Sequence, residues 1–251
     1  MKRFPLTGRF LQGRLRDAMS EEEKRIVEGL IEETREYGPG EEILSRGELI
    51  NTSTMLIEGF AERTIKADSR RFIVCVQVPG DFVDLHAFPL KRLDHDLVTI
   101  GRARLGFTSH ERIEQVMVDH PHLARLLWFS TLLDAAIHRE WTLKLQQLRA
   151  SKRVAHVFCE IWQRLDFVGL GREGGIDTPL TQQDLADMCG TTAIHMNRAL
   201  SELRKLGLCD FKRGVVTAAD RTALEEYATF DSTYLYGEGS LGMRGELSLS
   251  A

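Results

Sequence analysis

Two adjacent side chains, Asn197 and Arg198, are of the types that form paired hydrogen bonds with the edges of adenine and guanine in DNA. They lie in a segment where apolar residues recur every three or four positions, namely Met196, Leu200, Leu203 and Leu206. That spacing predicts a helix on which these four residues face inward. The outward face, which could then touch DNA, contains Thr192, Ala193, Ile194, His195, Asn197, Arg198, Ser201 and Lys205.

A shorter amphipathic helix is predicted directly before this one. Thr181 can cap its start, with Asp184 three residues later completing a reciprocal cap. Its apolar side consists of Leu185, Ala186 and Met188. Cys189-Gly190-Thr191 supplies a sharp turn, because glycine tolerates left-handed backbone angles. Two helices joined in this way are typical of a helix-turn-helix, and an ordinary helical hairpin with solvated polar residues is the alternative.

A short hairpin is predicted after the second helix. Residues 208–211 and 215–217 read as two strands around a basic turn that contains Lys212 and Arg213. Basic side chains at the tip of such a hairpin can contact phosphate. Helix, glycine turn, polar-faced helix and basic hairpin, in this order, predict a winged helix-turn-helix that binds double-stranded DNA.

The composition is that of an ordinary folded protein. The 251 residues are 43% hydrophobic and 28% charged, which argues against both a disordered chain and a membrane protein. Residues 1–16 lack the apolar core of a signal peptide, so we expect the protein to stay in the cytoplasm. The net charge is -4, yet basic residues outnumber acidic ones from Arg149 to Arg221. Local surface potential, not the total charge, governs docking to DNA.

The sequence shows no catalytic or metal-binding constellation. The four cysteines are far apart and form no Cys-x-x-Cys pair, which argues against zinc and against a disulfide framework. The eight histidines have no fixed spacing to a Cys, Asp or Glu partner. No nucleophile elbow, Walker loop or dinucleotide fingerprint occurs. We therefore expect no metal, no cofactor and no enzymatic activity.

Cys189 differs from the other cysteines because it lies in the predicted turn beside the DNA-reading helix. Oxidation of its thiol would disturb docking, which makes it a candidate redox switch. The alternative is a small buried residue that packs the corner, since free cysteine is among the most buried residue types.

Residues 37–110 contain short alternating or apolar segments separated by glycine turns. Strands are predicted at residues 42–44, 54–57, 61–65 and 72–78. The intervening turns are Pro39-Gly40, Arg46-Gly47, Glu58-Gly59 and Pro79-Gly80-Asp81. Their regular spacing is typical of an antiparallel sandwich or roll.

Pro121 opens a long helical pattern that continues to Leu148 without an internal glycine or proline. Apolar residues form a stripe along it that consists of Leu126, Phe129, Leu133, Ile137, Trp141 and Leu145. We expect part of this stripe to cover the roll and the remainder to pack against the same helix of a second subunit. Burial against its own domain alone is the alternative.

The predicted fold class is α+β with four successive parts. They are an N-terminal antiparallel β-roll sensory domain at 1–120, a dimerisation helix at 121–149, a winged helix-turn-helix at 150–230 and a tail at 231–251. The tail is rich in Gly, Ser and Leu without a period, so it is predicted to be flexible.

Two motifs connect this order of parts to a known family. Pro79-Gly80-Asp81-Phe82 closes a predicted strand of the roll, and the DNA-reading helix contains His195-Met196-Asn197-Arg198. Over residues 38–228 the chain resembles the Crp/Fnr family of bacterial transcription regulators, the cyclic-AMP receptor protein and its relatives. The resemblance implies a homodimer that reads two-fold-symmetric sites upstream of promoters and contacts RNA polymerase.

The sequence departs from the family's ligand-binding members in the roll. Where those members hold cyclic AMP with a Gly-Glu pair and an Arg-Ser pair, this chain has Asp84-Leu85 and, further on, Leu93-Asp94-His95-Asp96-Leu97. Acidic residues there would repel a phosphate, so a cyclic nucleotide is not expected to bind. The chain has no cysteine before Cys75, so the iron–sulfur cluster of the oxygen-sensing members is not expected either.

Three alternatives stay open at this point. The protein binds DNA constitutively, or it responds to an unrelated apolar effector under the long helix. The third is that the chain is a sensor or scaffold module that acts through protein contacts and has a degenerate DNA-binding domain.

In the DNA-reading helix, Ile194 replaces a glutamate that accepts a hydrogen bond from cytosine in many members of the family that the chain resembles. Isoleucine can only pack, for example against a thymine methyl group.

Overall fold

The computed structural model describes residues 3–68 and 70–238. The chain begins with an irregular segment that contains a 3-10 turn at Arg16–Ala18 and leads into helix α1 (Glu21–Leu30). Ser20 starts this helix with a reciprocal cap, because its hydroxyl accepts from the backbone of Glu23 while the Glu23 carboxylate accepts from the backbone of Ser20.

An antiparallel five-stranded sheet forms the N-terminal part. Its strands are β1 (Glu33–Tyr37), β2 (Glu42–Leu44), β3 (Thr52–Ala67), β4 (Arg70–Gln77) and β5 (Asp96–Ser109). The strand order is β1-β5-β3-β4, with β2 also paired to β5. The antiparallel sheet and the α+β class are as predicted, whereas the edge strand β1 and the interior strand β5 lie outside the predicted segments.

The turn predicted at Glu58-Gly59 is wrong, because β3 runs through it without a break. The pairing with β5 shifts on both sides of Glu58, which marks a bulge. Gly59 has a φ of 86°, and a Cβ atom there would lie 2.2 Å from the carbonyl oxygen of Arg102. This glycine therefore permits a bend within a strand and does not end one.

Three helices follow the sheet or cover it. They are α2 (Ala87–Leu90), α3 (His110–Asp119) and the long helix α4 (Pro121–Gln147). Proline occupies the first turn of α4, where its missing N–H is not needed. The 27 residues of α4 span about 40 Å at 1.5 Å per residue. The helix begins at the predicted Pro121 and ends at Gln147, two residues before the predicted end at residue 149.

The C-terminal part contains four helices and a small sheet. Its elements are α5 (Ala150–Phe167), β6 (Gly175–Asp177), α6 (Gln182–Met188), α7 (Ala193–Lys205), β7 (Asp210–Lys212), β8 (Val215–Thr217) and α8 (Arg221–Ala228). The two strands of the predicted hairpin are β7 and β8, and β6 adds a third strand in the order β6-β8-β7. One apolar core runs from the N-terminal sheet through α4 and α5 into this part.

Residues 231–238, the described part of the predicted tail, pack against the rest of the protein. A 3-10 turn at Ser232–Leu235 lies against the long helix. Leu235 is fully buried, and the Tyr234 hydroxyl donates to the Glu160 carboxylate at 2.7 Å. Residues 239–251 lie outside the described residues. Among those described, no helix is both long enough and apolar enough to cross a membrane.

Candidate nucleic-acid interface

The first helix of the candidate interface, α6, begins with the reciprocal cap that the sequence predicts. The Thr181 hydroxyl accepts from the backbone N–H of Asp184 at 3.2 Å, and the Asp184 carboxylate accepts from the backbone N–H of Thr181 at 2.8 Å. The apolar side chains predicted to face inward are buried, namely Leu185, Ala186 and Met188. The turn that follows is made at Gly190, which has a φ of 58°.

Helix α7 begins at a second cap, where the Thr192 hydroxyl accepts from the backbone N–H of His195 at 3.3 Å. Three of the four residues predicted to face inward, Met196, Leu200 and Leu203, are buried. The fourth prediction is wrong, because Leu206 is 54% exposed. Leu206 is the C-cap residue that directly follows the last residue of α7, Lys205.

The outward face of α7 is open to solvent. Seven of its predicted members are exposed, namely Thr192, Ala193, Ile194, His195, Asn197, Arg198 and Lys205, whereas Ser201 is half-buried. No described residue pairs with Asn197 or Arg198, so both side chains keep their hydrogen-bonding groups for an external partner. Ile194 is 68% exposed and presents an apolar surface beside them.

The hairpin of β7 and β8 holds two further basic residues at its tip. Lys212 and Arg213 are both exposed, and Arg213 has a positive φ of 51° in the tight turn. The Asp210 carboxylate bonds Lys212 at 2.5 Å and Arg204 at 2.7 Å. Arg204 is therefore engaged within the protomer, and Arg213 has no partner among the described residues. Between this wing and α6 lies an open groove lined by Gln182, Arg204 and Arg213.

Comparisons with known proteins agree with this architecture. A family model described as a Crp-like helix-turn-helix domain matches residues 152–227. The transcriptional activator protein FnrL of Cereibacter sphaeroides is 28% identical over 200 residues, which cover 76% of this chain and 79% of that protein. The nitrogen fixation regulation protein FixK of Bradyrhizobium diazoefficiens is 22% identical over 193 residues, covering 76% and 80%. The structure of FixK2 from Bradyrhizobium japonicum superposes with a TM-score of 0.68 at 21% identity and covers 78% of this chain and 96% of that one.

The chain contains a Crp-like helix-turn-helix domain and is similar over 76% of its length to the transcriptional activator FnrL and to the regulation protein FixK. It is a DNA-binding transcription regulator, and α6, α7 and the wing form its helix-turn-helix domain. The contribution of each outward-facing residue to DNA binding stays a prediction.

The long helix α4 does not expose the apolar stripe that was predicted for dimerisation. Five of the six predicted residues are buried within the protomer at 9% exposure or less, namely Leu126, Phe129, Leu133, Ile137 and Trp141. They cannot meet a second subunit without unpacking their own chain, so their assignment to a dimer contact is wrong. Leu145, at 43% exposed, is the exception.

A different face of α4 is free. Trp128, Leu132, Ala135, Arg139 and Thr142 recur at alternating steps of four and three residues, which is the spacing of a coiled-coil seam. Trp128 is 63% exposed and Leu132 is 53% exposed, both high values for large apolar side chains. This face was not predicted because α4 carries apolar residues on two sides.

The interior of the roll is closed by an ion pair between Arg63 on β3 and Asp134 on α4. Their side chains bond at 2.5 Å, and the Arg63 guanidinium also donates to the backbone carbonyl of Val83 at 2.6 Å. Arg63 is only 3% exposed. This pair occupies the junction between roll and helix, and it was not anticipated because a single arginine in a strand has no periodic signature.

The acidic residues that were expected to repel a phosphate, Asp84, Asp94 and Asp96, differ in their exposure and in their bonding partners. The Asp94 side chain is 85% exposed and bonds His95, and Asp96 bonds the Lys66 ammonium at 3.1 Å. Asp84 and Asp96 are both buried, and burial raises the pKa of the Asp84 carboxyl to about 7. Among the described residues of the roll interior, the Arg63 guanidinium is already paired with Asp134, so it is not free to bind a phosphate.

Cys189 packs the corner between α6 and α7. Its side chain is 1% exposed, and burial raises the pKa of its thiol to about 12. A thiol in this environment is neither ionised nor accessible at neutral pH. The structure therefore favours the packing role over the redox switch.

Proposed function

We propose that this chain acts as a homodimer that binds an inverted-repeat promoter site without a cyclic nucleotide. The observation that carries the proposal is the solvent-exposed outward face of α7. On this face Asn197 and Arg198 have no partner among the described residues, and the Ile194 side chain is exposed to solvent. Side chains of this kind on a helix N-terminal half are suited to reading base edges in the major groove.

The exposed face of α4 supports the dimer. Two copies of this face, related by a two-fold axis, would bury Trp128 and Leu132 of both protomers in a parallel seam. An apolar groove lined by Phe88, Met117 and Trp128 continues this surface toward α2 and α3. Exposed apolar residues that lie together in this way are typical of a protein–protein contact.

In the proposed dimer we expect the two copies of α7 to lie on one side of the molecule. Its half-sites are then about 34 to 36 Å apart, one turn of DNA. We assign guanine reading to Arg198, a thymine methyl contact to Ile194 and phosphate contacts to Arg213 and Lys212. Contact with RNA polymerase follows from the likeness to relatives named as transcriptional activators.

The closed roll supports DNA binding without cyclic AMP. The Arg63 guanidinium is already bonded to the Asp134 carboxylate and to the Val83 carbonyl. A cyclic phosphate could pair with Arg63 only by breaking this buried ion pair. No compensating cation lies in that part of the described interior. An apolar effector that binds elsewhere is not needed to explain these contacts.

Selection of bound sequences from a random DNA pool by the ligand-free protein tests the proposal. The expected result is enrichment of an inverted repeat with one-turn spacing. A variant with Asn197→Ala and Arg198→Ala, both at exposed positions, is the matched control and should lose the enrichment while keeping its fold. If the wild-type protein enriches no sequence, the proposal is wrong and the scaffold alternative takes its place.

A further inference from the structure

The N-terminal segment of residues 3–18, here called the strap, is built into the molecule although it contains only one short 3-10 turn. Phe10 and Leu11 are 1% and 4% exposed and belong to the main apolar core. The ring of Phe10 packs edge-on against Phe82 of the roll at 5.4 Å between centroids. A Cβ atom on Gly80 would lie 2.6 Å from the carbonyl oxygen of Arg9, so the strap touches the roll backbone directly.

The opposite side of the strap touches the C-terminal part of the chain. The buried Arg14 guanidinium donates to the carbonyl of Leu235 at 2.8 Å and lies over the ring of Phe167, which ends α5, at 4.7 Å. Gly13 packs so closely on Phe167 that a Cβ atom there would approach it to 2.8 Å. The backbone N–H of Glu238 donates to the Gly13 carbonyl at 3.0 Å. The strap therefore joins the roll to the helix that carries the DNA-binding part.

The conformation of the strap is specified by polar anchors. The Glu28 carboxylate accepts from the backbone N–H groups of Leu6 and Thr7, at 2.9 Å each, and from the Thr7 hydroxyl at 2.6 Å. Leu11 has a φ of 54°, in the left-handed region that leucine rarely adopts. Such a backbone angle persists only where the surroundings determine it. The surrounding residues therefore hold the strap in one defined conformation, as a binding site holds a bound peptide.

Beneath the strap lies the polar junction between roll and α5. Arg164 of α5 bonds the Asp81 carboxylate at 2.6 Å and the Val76 carbonyl at 2.8 Å. Phe10 and Leu11 line the small cavity above this junction, which has a volume of about 30 Å³. That volume admits about one water molecule. Without the strap the junction would open to solvent, and the bond between Arg164 and Asp81 would weaken through screening.

We propose that the strap is a tethered peptide ligand that replaces a diffusible effector. It fixes α5, and with it α6 and α7, on the roll in the arrangement that binds DNA. This inference rests on the proposed function for its DNA readout. Its physical basis is that apparent affinity falls in proportion to the fraction of molecules in the competent arrangement, and a tethered ligand has a high effective concentration.

The test compares the full chain with a variant that lacks residues 2–14, on DNA selected by the full chain. We expect the variant to bind this DNA at least about tenfold more weakly, as for a competent fraction of one tenth or less. A synthetic peptide of residues 3–14 added in trans should restore the affinity. The same peptide with Phe10→Ala and Leu11→Ala should not. Equal or tighter DNA binding by the truncated chain, or failure of the peptide to restore it, overturns the proposal.

Two further measurements keep the proposal falsifiable. If the truncated chain does not fold, the full-length Arg14→Ala variant takes its place, and Arg3→Ala, at an exposed strap position, is its control. Hydrogen exchange of α5 and α6 tests the strap without DNA. Faster exchange there in the strap variant, reversed by the peptide, supports the tether even if the protein enriches no DNA sequence, in which case only the proposed function fails. Unchanged exchange overturns the tether.

Discussion

Arg164 and Asp81 form an ion pair across the junction of α5 and the roll, with 2.6 Å between Nη2 and Oδ2. The Arg164 guanidinium also bonds Glu160, which in turn accepts from the indole of Trp141 on α4 and from the hydroxyl of Tyr234. One buried network thus ties the roll, the long helix, α5 and the C-terminal segment together. A polar network of this kind stabilises the fold only while every member is paired.

Replacement of Arg164 by methionine should therefore destabilise the protein strongly. The Arg164 side chain is 2% exposed, and its loss leaves the Asp81 and Glu160 carboxylates without their cation. Breaking a buried pair typically costs about 3 to 5 kcal/mol of unfolding free energy. Urea unfolding measures the loss. Arg172→Met is the control, since its pair with Asp177 is half exposed and should contribute about 0 to 1 kcal/mol.

A charge on the free face of α4 should prevent dimerisation. Trp128→Asp or Leu132→Asp is expected to sediment as a folded monomer and to bind the full inverted repeat about a hundredfold more weakly, because two linked half-site contacts become independent. Leu49→Asp changes an exposed leucine on a loop of the roll and should have neither effect. A dimer that survives both α4 substitutions would show that the seam lies elsewhere.

Substitution of arginine in α7 and in the wing should have different consequences. Arg198→Ala is expected to cost about 1 to 3 kcal/mol of binding free energy and to relax the preference at one base position. Arg213→Ala should weaken all sequences alike and reduce the salt dependence of binding, as expected for a phosphate contact. Binding curves on single-base variants of the site distinguish the two. A uniform loss for Arg198→Ala would refute its assignment as a base reader.

Asp84 should make the protein less stable as the pH rises. Burial raises the pKa of its carboxyl to about 7 in the folded state, against about 3.9 in the unfolded chain. The folded state therefore holds the proton more tightly, and the stability it contributes is complete below about pH 4 and lost as the pH approaches 7. Urea unfolding at several pH values should give a flatter profile for Asp84→Asn. Parallel profiles for the two proteins would contradict this assignment.

All four cysteines should be inert in the folded protein. Cys75, Cys159, Cys189 and Cys209 are free and buried. Burial raises the pKa of the Cys75, Cys189 and Cys209 thiols to about 12. A thiol reagent at neutral pH is expected to react with none of them natively and with all four in denaturant, and peroxide should leave DNA affinity unchanged. Native reaction at Cys189 would revive the redox hypothesis.

The helix-turn-helix could be predicted because its signals are local. The cap between Thr181 and Asp184 and the turn at Gly190 depend only on neighbouring residues, and both occur as expected. The face of α4 could not be predicted in the same way. Periodicity finds apolar positions such as Leu133 and Trp128, but only the tertiary fold decides that the first is covered by its own chain and the second is not.

The strap and the Arg63 pair escaped prediction for a related reason. Residues 3–18 form no regular helix or strand, so their burial leaves no periodic pattern in the sequence. Arg63 and Asp134 are 71 positions apart and meet only because α4 crosses the roll. Contacts between distant segments depend on the whole fold, which single-sequence patterns do not describe.

The hydrogen bond between Gly13 and Glu238 also bears on how such a protein can evolve. Because the N-terminal and C-terminal segments meet beside α5, the roll and the DNA-binding part do not pack independently of each other. A hybrid that joins this roll to another member's helix-turn-helix at residue 149 would separate Arg14 from Phe167 and Leu235. Recombination between related regulators would therefore have to exchange both terminal segments together with the domain against which they pack.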